Sequence, residues 1–353
     1  MKIVRAASTR VPLSFCLLIN QKSSAYNKEN TFTEVIAMPT KIFNHRYVPM
    51  LHGPATVSFS QITTESTPPK IDLLTGTAKY QQGDLNLIVD QAKDIGAKIS
   101  VQTHKLFDIL VLALSSQNTY RCPPHKLKTQ VAISLDEYLA LCAKPQTKAS
   151  KDELRKTVSK ELDILYRISI EWYELRGGKT QHFSKMRLCD RVGIINGYIM
   201  VNFTSQMAEY LTHAYVTQYP LALLTVDGRQ RAAYYAGKKL AFHYGLRQNQ
   251  KKGSQNCISV SNLLKAIPEI PSINVINEAD AGHWARRIQQ PLEKALNALV
   301  KNGVLDTWEY SLTGKQKILS TDLDFTSYEK FTNLLVHFEL CNFPVSKYKR
   351  QEP

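Results

Sequence analysis

Apolar positions along this chain recur in one arrangement twice. Residues 131–172 and residues 256–310 each run from a short strand into a short helix, then through a loop into a longer helix, and out into a strand that carries a Trp. In the longer helices Leu154, Val158, Leu162 and Leu165 answer to Ile288, Leu292, Leu296 and Leu299. Steps of four, four and three keep one stripe facing a core at about 3.6 residues per turn. The pattern predicts a helix-turn-helix with a β-hairpin behind it, present in duplicate.

Around these anchors the local signals are specific. Thr103 is placed to cap a buried helix over THKLFDILVLALSSQ. VAI at 131–133 reads as a strand, and Ser134-x-x-Glu137 as a capping box opening the next helix. The first long helix is expected from about Lys151 to Tyr166. RISIEWYEL then alternates as a strand, turns at Gly177-Gly178 and returns as KTQHFSKMRLC. A second hairpin turns at Asn196-Gly197, and a helix opens at Ser205. In the second copy a helix over 228–246 is expected to end at Gly245, and the long helix over 283–302 to end at Gly303. VLDTWEYSL turns at Thr313-Gly314 and returns as KQKIL, followed by a helix, SYEKFTNLLV, a strand, HFELCNF, and a basic end, KYKR. Pro291 leaves the second long helix two options: a kink there, or a restart with Pro291 at its first position.

Residues 1–70 are rich in Ser, Thr, Pro and Asn and read as mostly irregular, with one or two short strands at best; 71–100 hold Gly76, Gly83 and Gly96 and read as short strands or a hairpin. Lys2, Arg5 and Arg10 before PLSFCLLI loosely imitate a secretory signal, but the apolar run is short and interrupted. The segment is read as a disordered leader, or as an upstream extension of a chain beginning at Met38. No run of 18 apolar residues exists. The six cysteines are dispersed without a C-x-x-C pair, which fits reduced thiols in a cytoplasm and assembles no structural zinc site.

Charge then narrows the function. Lys+Arg outnumber Asp+Glu by 45 to 30, for a net charge of +15. Such an excess does not help folding and matches a polyanionic partner, nucleic acid first and an acidic membrane second. Lys148, Lys151, Arg155, Lys156 and Lys160 crowd the start and exposed side of the first long helix. Arg286, Arg287 and Lys294, with His283 and Lys301, do so in the second. A cationic exposed helix suits the DNA major groove, where Arg reads base edges and either residue holds phosphate. The same residues would also serve as a solvated face, balanced in the first copy by Asp152 and Glu153. The hairpin turns add Arg176 and Lys179, and Lys315 and Lys317, as phosphate contacts or as incidental lysines beside turn glycines.

Catalytic readings find little support. A rolling-circle nuclease needs a His-hydrophobic-His metal pair, absent from the nine histidines. His283-Trp284-Ala285-Arg286 imitates one element of a tyrosine recombinase, with Tyr310 or Tyr328 as nucleophile, but it falls where the duplication already explains it. No G-x-x-x-x-G-K-[ST] loop is present. The expectation is a protein with no catalytic centre, metal or cofactor.

The stretches ISVSNLLKAIP, IQQPLEKALNALVKNGVLDTWEY and AAYYAGKKLAFHYG, with HFELCNFP near the end, resemble the plasmid replication initiators built from tandem winged-helix domains. The likeness covers about residues 100–345 and is clearest over 228–312. It implies an α+β chain of two tandem winged-helix domains, expected at 71–225 and 226–345, after an irregular leader at 1–70 and before a basic tail at 346–353. It also implies binding of origin double-stranded DNA at short direct repeats, local melting, recruitment of host helicase or primase, and a homodimer in equilibrium with monomer, in the cytoplasm. A winged-helix transcriptional regulator is the alternative.

Overall fold

The computed structural model describes residues 46–52, 59, 70–72, 74–82, 85–92, 99–118, 121–176, 179–213, 215–247, 255–276, 283–312 and 327–344. The leader before residue 46, Gly83, Gly96, the Gly177-Gly178 and Thr313-Gly314 turns, the KQKIL return and the KYKR end lie outside them.

Part of the expected irregular N-terminal segment is built into the fold. β1 (Tyr47–His52) pairs antiparallel with a strand far along the chain. β2 (Lys70–Ile71), β3 (Ala78–Gln82) and β4 (Leu85–Val89) follow as an antiparallel run. α1 (Val101–Gln117) starts two residues before the expected cap. Ser100, not Thr103, caps it, and Thr103 closes the capping box from the third helical position. Its residues from Val101 to Leu114, Gln102 excepted, are buried, so it is the central helix of the first half.

β5 (Gln130–Ser134) runs into α2 (Leu135–Leu141), and Ser134 accepts the N–H of Glu137 as expected. α3 (Lys148–Tyr166) begins three residues early because Thr147 caps it through the N–H of Ser150. Then come β6 (Ile168–Arg176), β7 (Lys179–Arg187), β8 (Cys189–Ile195) and β9 (Tyr198–Phe203). The Asn196-Gly197 turn between β8 and β9 has both residues at positive φ, 50° and 81°, as a two-residue hairpin requires. α4 (Ser205–Thr212), β10 (Tyr215–Pro220) and the short α5 (Ala222–Thr225) lead to the second half.

α6 (Arg231–Arg247) runs through Gly245 rather than ending there. A Cβ on Gly245 would lie 2.2 Å from Oγ1 of Thr217, so this glycine admits β10, and Gly237 likewise admits Leu223 and Leu299. β11 (Cys257–Ser259) runs into α7 (Val260–Leu264), capped by Ser259 through Asn262. α8 (Gln290–Lys301) precedes β12 (Leu305–Ser311), α9 (Tyr328–Asn333) and β13 (Leu335–Leu340). Gly303, at φ +67°, ends α8 as expected, while Val304 N–H bonds back to Leu299.

The two halves share one topology. The sheet order β5-β9-β8 in the first is β11-β13-β12 in the second. Ser134 faces Tyr198 as Ser259 faces Leu335. The first helical N–H, of Leu135 or Val260, reaches the carbonyl just before the middle strand, on Gly197 or Leu334. At the other end Phe203 N–H bonds to Thr129 and Phe338 N–H to Asn256. Helix, strand, two helices and two further strands in this order make each half a winged helix, and the fold is α+β with two in tandem.

One expectation is corrected by the same comparison. The Trp-bearing strand after each long helix is not equivalent. β12 belongs to its winged-helix sheet, but β6 with β7 joins β2, β3 and β4 in a separate sheet ordered β2-β3-β4-β6-β7. The counterpart of β12 is β8. The physical difference sits at the helix end. α8 is closed by a left-handed glycine, whereas α3 ends on Arg167 in ordinary helical geometry and releases the chain toward β4. β12 pairs with β13, and the expected return strand KQKIL lies outside the described residues.

The halves meet through α1 and α6. Asp108 of α1 is completely buried, and it accepts from Tyr234 Oη at 2.5 Å and from Lys238 Nζ at 2.6 Å, both on α6. Lys105, one turn earlier, donates to the carbonyls of Leu224 and Val226 at the end of α5. Burial lowers the pKa of Lys105, and those carbonyls at a helix C-terminus supply partners for its ammonium. β1 ties both halves from outside. Leu51 N–H bonds to Ser115 Oγ of α1, while Tyr47 Oη and Arg46 reach Cys341 O and Gly303 O at the end of the second half.

Candidate nucleic-acid interface

Both long helices bury their predicted stripe. Leu154, Val158, Leu162 and Leu165 are at most 5% exposed, and Ile288, Leu292, Leu296 and Leu299 are fully buried. The opposite face of each helix is therefore offered to solvent. Two residues beyond a stripe position is about 200° around the helix. Aligning the stripes pairs Asp152, Lys156, Lys160 and Asp163 of α3 with Arg286, Gln290, Lys294 and Asn297 of the second helix.

α3 displays its five basic residues in two ways. Lys148, Lys156 and Lys160 are exposed and have no ion-pair partner among the described residues. Lys151 is half-buried and bridges to Asp136 of α2 at 2.7 Å, and Arg155 is held by Asp152 at 2.5 Å. Both pairs are solvated, so each is worth little, about 0–1 kcal/mol, and can exchange for a phosphate or a base edge. Arg155 lies on the flank of the face, not at its centre. Its counterpart by stripe alignment is Gln289, and that of Arg287 is Glu153, so these two arginines are not equivalent.

The second helix resolves the question posed by Pro291. A π-turn over Ala285–Gln289 runs directly into α8, and the Gln290 N–H bonds back five residues to the Ala285 carbonyl. A normal turn would press the Pro291 ring against the Arg287 carbonyl; the wider turn removes that clash. Arg286 and Arg287 thus belong to the same continuous helix as Lys294. All three are exposed, as is Lys301, and they have no ion-pair partner among the described residues.

The hairpin candidates are placed differently. Arg176 and Lys179 close the β6–β7 hairpin, which belongs to the five-stranded sheet and not to the winged-helix sheet of the first half. The β8–β9 hairpin holds the wing position there, and its tip, Ile194 to Gly197, carries no cation. Lys315 and Lys317 lie outside the described residues.

Two polar residues on the second helix escaped sequence reasoning, which followed charge. Gln290 is exposed, and Asn297 is exposed with its Oδ1 accepting from the indole N–H of Trp308 at 2.9 Å. Amides at these positions match base edges as well as cations match phosphates. The helical period pointing outward from Ile288 and Leu292 was the signal available.

Tyr310 is poorly placed for the recombinase reading. Tyr310 is 7% exposed with its hydroxyl 3.4 Å from Glu293 Oε1, and burial first and Glu293 second push its pKa up. A nucleophilic tyrosine needs the reverse. Among the described residues no group of three His, Cys, Asp or Glu could hold a metal, and no helix is long and apolar enough to cross a membrane.

No family model matches the chain, and no curated protein matches it. Among solved structures it is similar to the Pi initiator protein in complex with iteron DNA, at 12% identity over 74% of this chain and 100% of that one, with a TM-score of 0.42. It is also similar to domains 2 and 3 of RctB in two structures. One is 10% identical over 81% of this chain and 98% of that one, TM-score 0.41; the other is 11% identical over 83% and 95%, TM-score 0.40.

Proposed function

We propose that this chain is a sequence-specific double-stranded DNA-binding protein that acts at a replication origin, in a plasmid setting, without a catalytic centre of its own. The observation that carries this reading is the duplication of one winged helix in which a buried apolar stripe is backed by an outward face that carries exposed cations. Two such units in one chain bind two neighbouring half-sites without dimerising, so the whole site need not be a palindrome and can recur in one direction along the DNA. Initiation itself comes from the resemblance of residues 228–312 to plasmid initiators. With it come a cytoplasmic setting, host helicase or primase as partners, and a homodimer in equilibrium with monomer.

Footprinting on the DNA flanking its own gene tests the proposal. Protection should recur at short direct repeats, and the same reactions, with divalent metal and ATP added, should show neither cleavage nor a covalent protein–DNA adduct on a denaturing gel. A single protected palindrome would instead make the protein a regulator. An adduct lost in Tyr310→Phe or Tyr328→Phe would restore the recombinase reading.

A further inference from the structure

We propose that Gln290 reads a base edge and that the base is adenine. The inference rests on the reading of α8 as a DNA-recognition helix and adds to it the identity of one contact. Gln290 stands two residues beyond the fully buried Ile288 and two before the fully buried Leu292. That puts it at the centre of the outward face, near the start of α8, the part of a recognition helix that enters the major groove. Because the π-turn keeps the helix continuous, Arg286 lies one turn before it and Lys294 one turn after. Cations on both sides engage the flanking phosphates and bring the residue between them to the base edges.

Its chemistry then selects the base. A Gln amide accepts from adenine N6 and donates to N7 at once, a pairing no other base offers in the major groove. No side-chain partner among the described residues occupies the Gln290 amide. Its neighbour Gln289, by contrast, is spent on Glu293 at 2.8 Å. In the first half the equivalent position is Lys156, a phosphate-type cation without the paired donor and acceptor. One fold position therefore carries different reading chemistry in its two copies, and the two halves select different sequences.

The test is selection of bound duplexes from a pool with about twenty randomised base pairs, the two-turn span that tandem half-sites occupy. It uses the full chain and Gln290→Ala, Gln290→Arg and Lys294→Ala variants, each checked for an unchanged thermal midpoint. The unmodified protein should select a motif with a fixed A·T pair. Gln290→Ala should lose the preference at that pair alone, by about 5- to 150-fold in relative affinity. Gln290→Arg should convert it to a G·C preference, since Arg matches guanine O6 and N7. Lys294→Ala should weaken binding without altering the motif. If Gln290→Ala and Gln290→Arg select the unmodified motif, the inference fails while the DNA-binding reading stands. If the unmodified protein enriches no motif, the DNA-binding reading fails, and this inference with it.

Discussion

Raising monovalent salt from about 50 to about 200 mM should weaken duplex binding by roughly 10³–10⁵, if some six to ten phosphates are neutralised. The structure supplies the cations. Lys148, Lys156 and Lys160 on α3, and Arg286, Arg287, Lys294 and Lys301 on the second helix, are exposed without an ion-pair partner among the described residues. Each that settles on a phosphate releases condensed counterions, so log affinity should fall with log salt at a slope near −0.9 per contact. The excess of 45 basic over 30 acidic residues adds a steering field of the same sign. A titration by fluorescence anisotropy reads the slope. A flat response would mean that these faces do not meet phosphate.

The second large effect concerns the joint between the halves. Lys238→Ala should cost about 3–5 kcal/mol of folding stability, because it strands the Asp108 carboxylate in a site with no access to water. Asp108 is fully buried, and Lys238 and Tyr234 both donate to it. That loss is a large share of the roughly 5–15 kcal/mol that holds a typical domain folded. Replacing the pair together, Asp108→Leu with Lys238→Met, should restore most of it, since the desolvation cost of two buried charges nearly offsets their attraction. Urea unfolding of the three proteins decides between this and a solvent-relaxed pair, for which Lys238→Ala would cost under about 1 kcal/mol.

Features set by local chemistry were legible in the sequence. The stripes of α3 and α8, the cap at Ser134, the Asn196-Gly197 hairpin and the stop at Gly303 each depend on residues within one or two turns, and each is found as expected. What was not legible depends on partners far along the chain. Nothing within residues 168–176 distinguishes a strand pairing with β4 from one completing the winged-helix sheet, so β6 was assigned to the wrong sheet. β1 looks irregular by composition, and only its partner β10, about 170 residues away, makes it a strand. Gly245 carries the signature of a helix stop, but its missing side chain serves the close passage of Thr217. Asp108, Lys105 and Lys238 sit in largely apolar helices, and their partners are brought to them only by the packing of distant elements. In the candidate site, following positive charge picks out the exposed cations of the two long helices and passes over Gln290 and Asn297. It also placed Arg176 and Lys179 on a wing that the fold locates at β8–β9.

The central claim is that the outward faces of both long helices read DNA. Its most direct test compares Arg155→Ala and Arg287→Ala with Lys156→Ala and Lys160→Ala, each measured on the selected duplex and on a scrambled one at fixed salt. The account predicts that each arginine variant loses about 1–3 kcal/mol on the selected duplex and much less on the scrambled one. Each lysine variant should weaken both duplexes alike and lower the salt slope by about one. Equal losses on both duplexes for Arg155→Ala and Arg287→Ala would contradict the claim, because helices that touch DNA without distinguishing its sequence are not reading it.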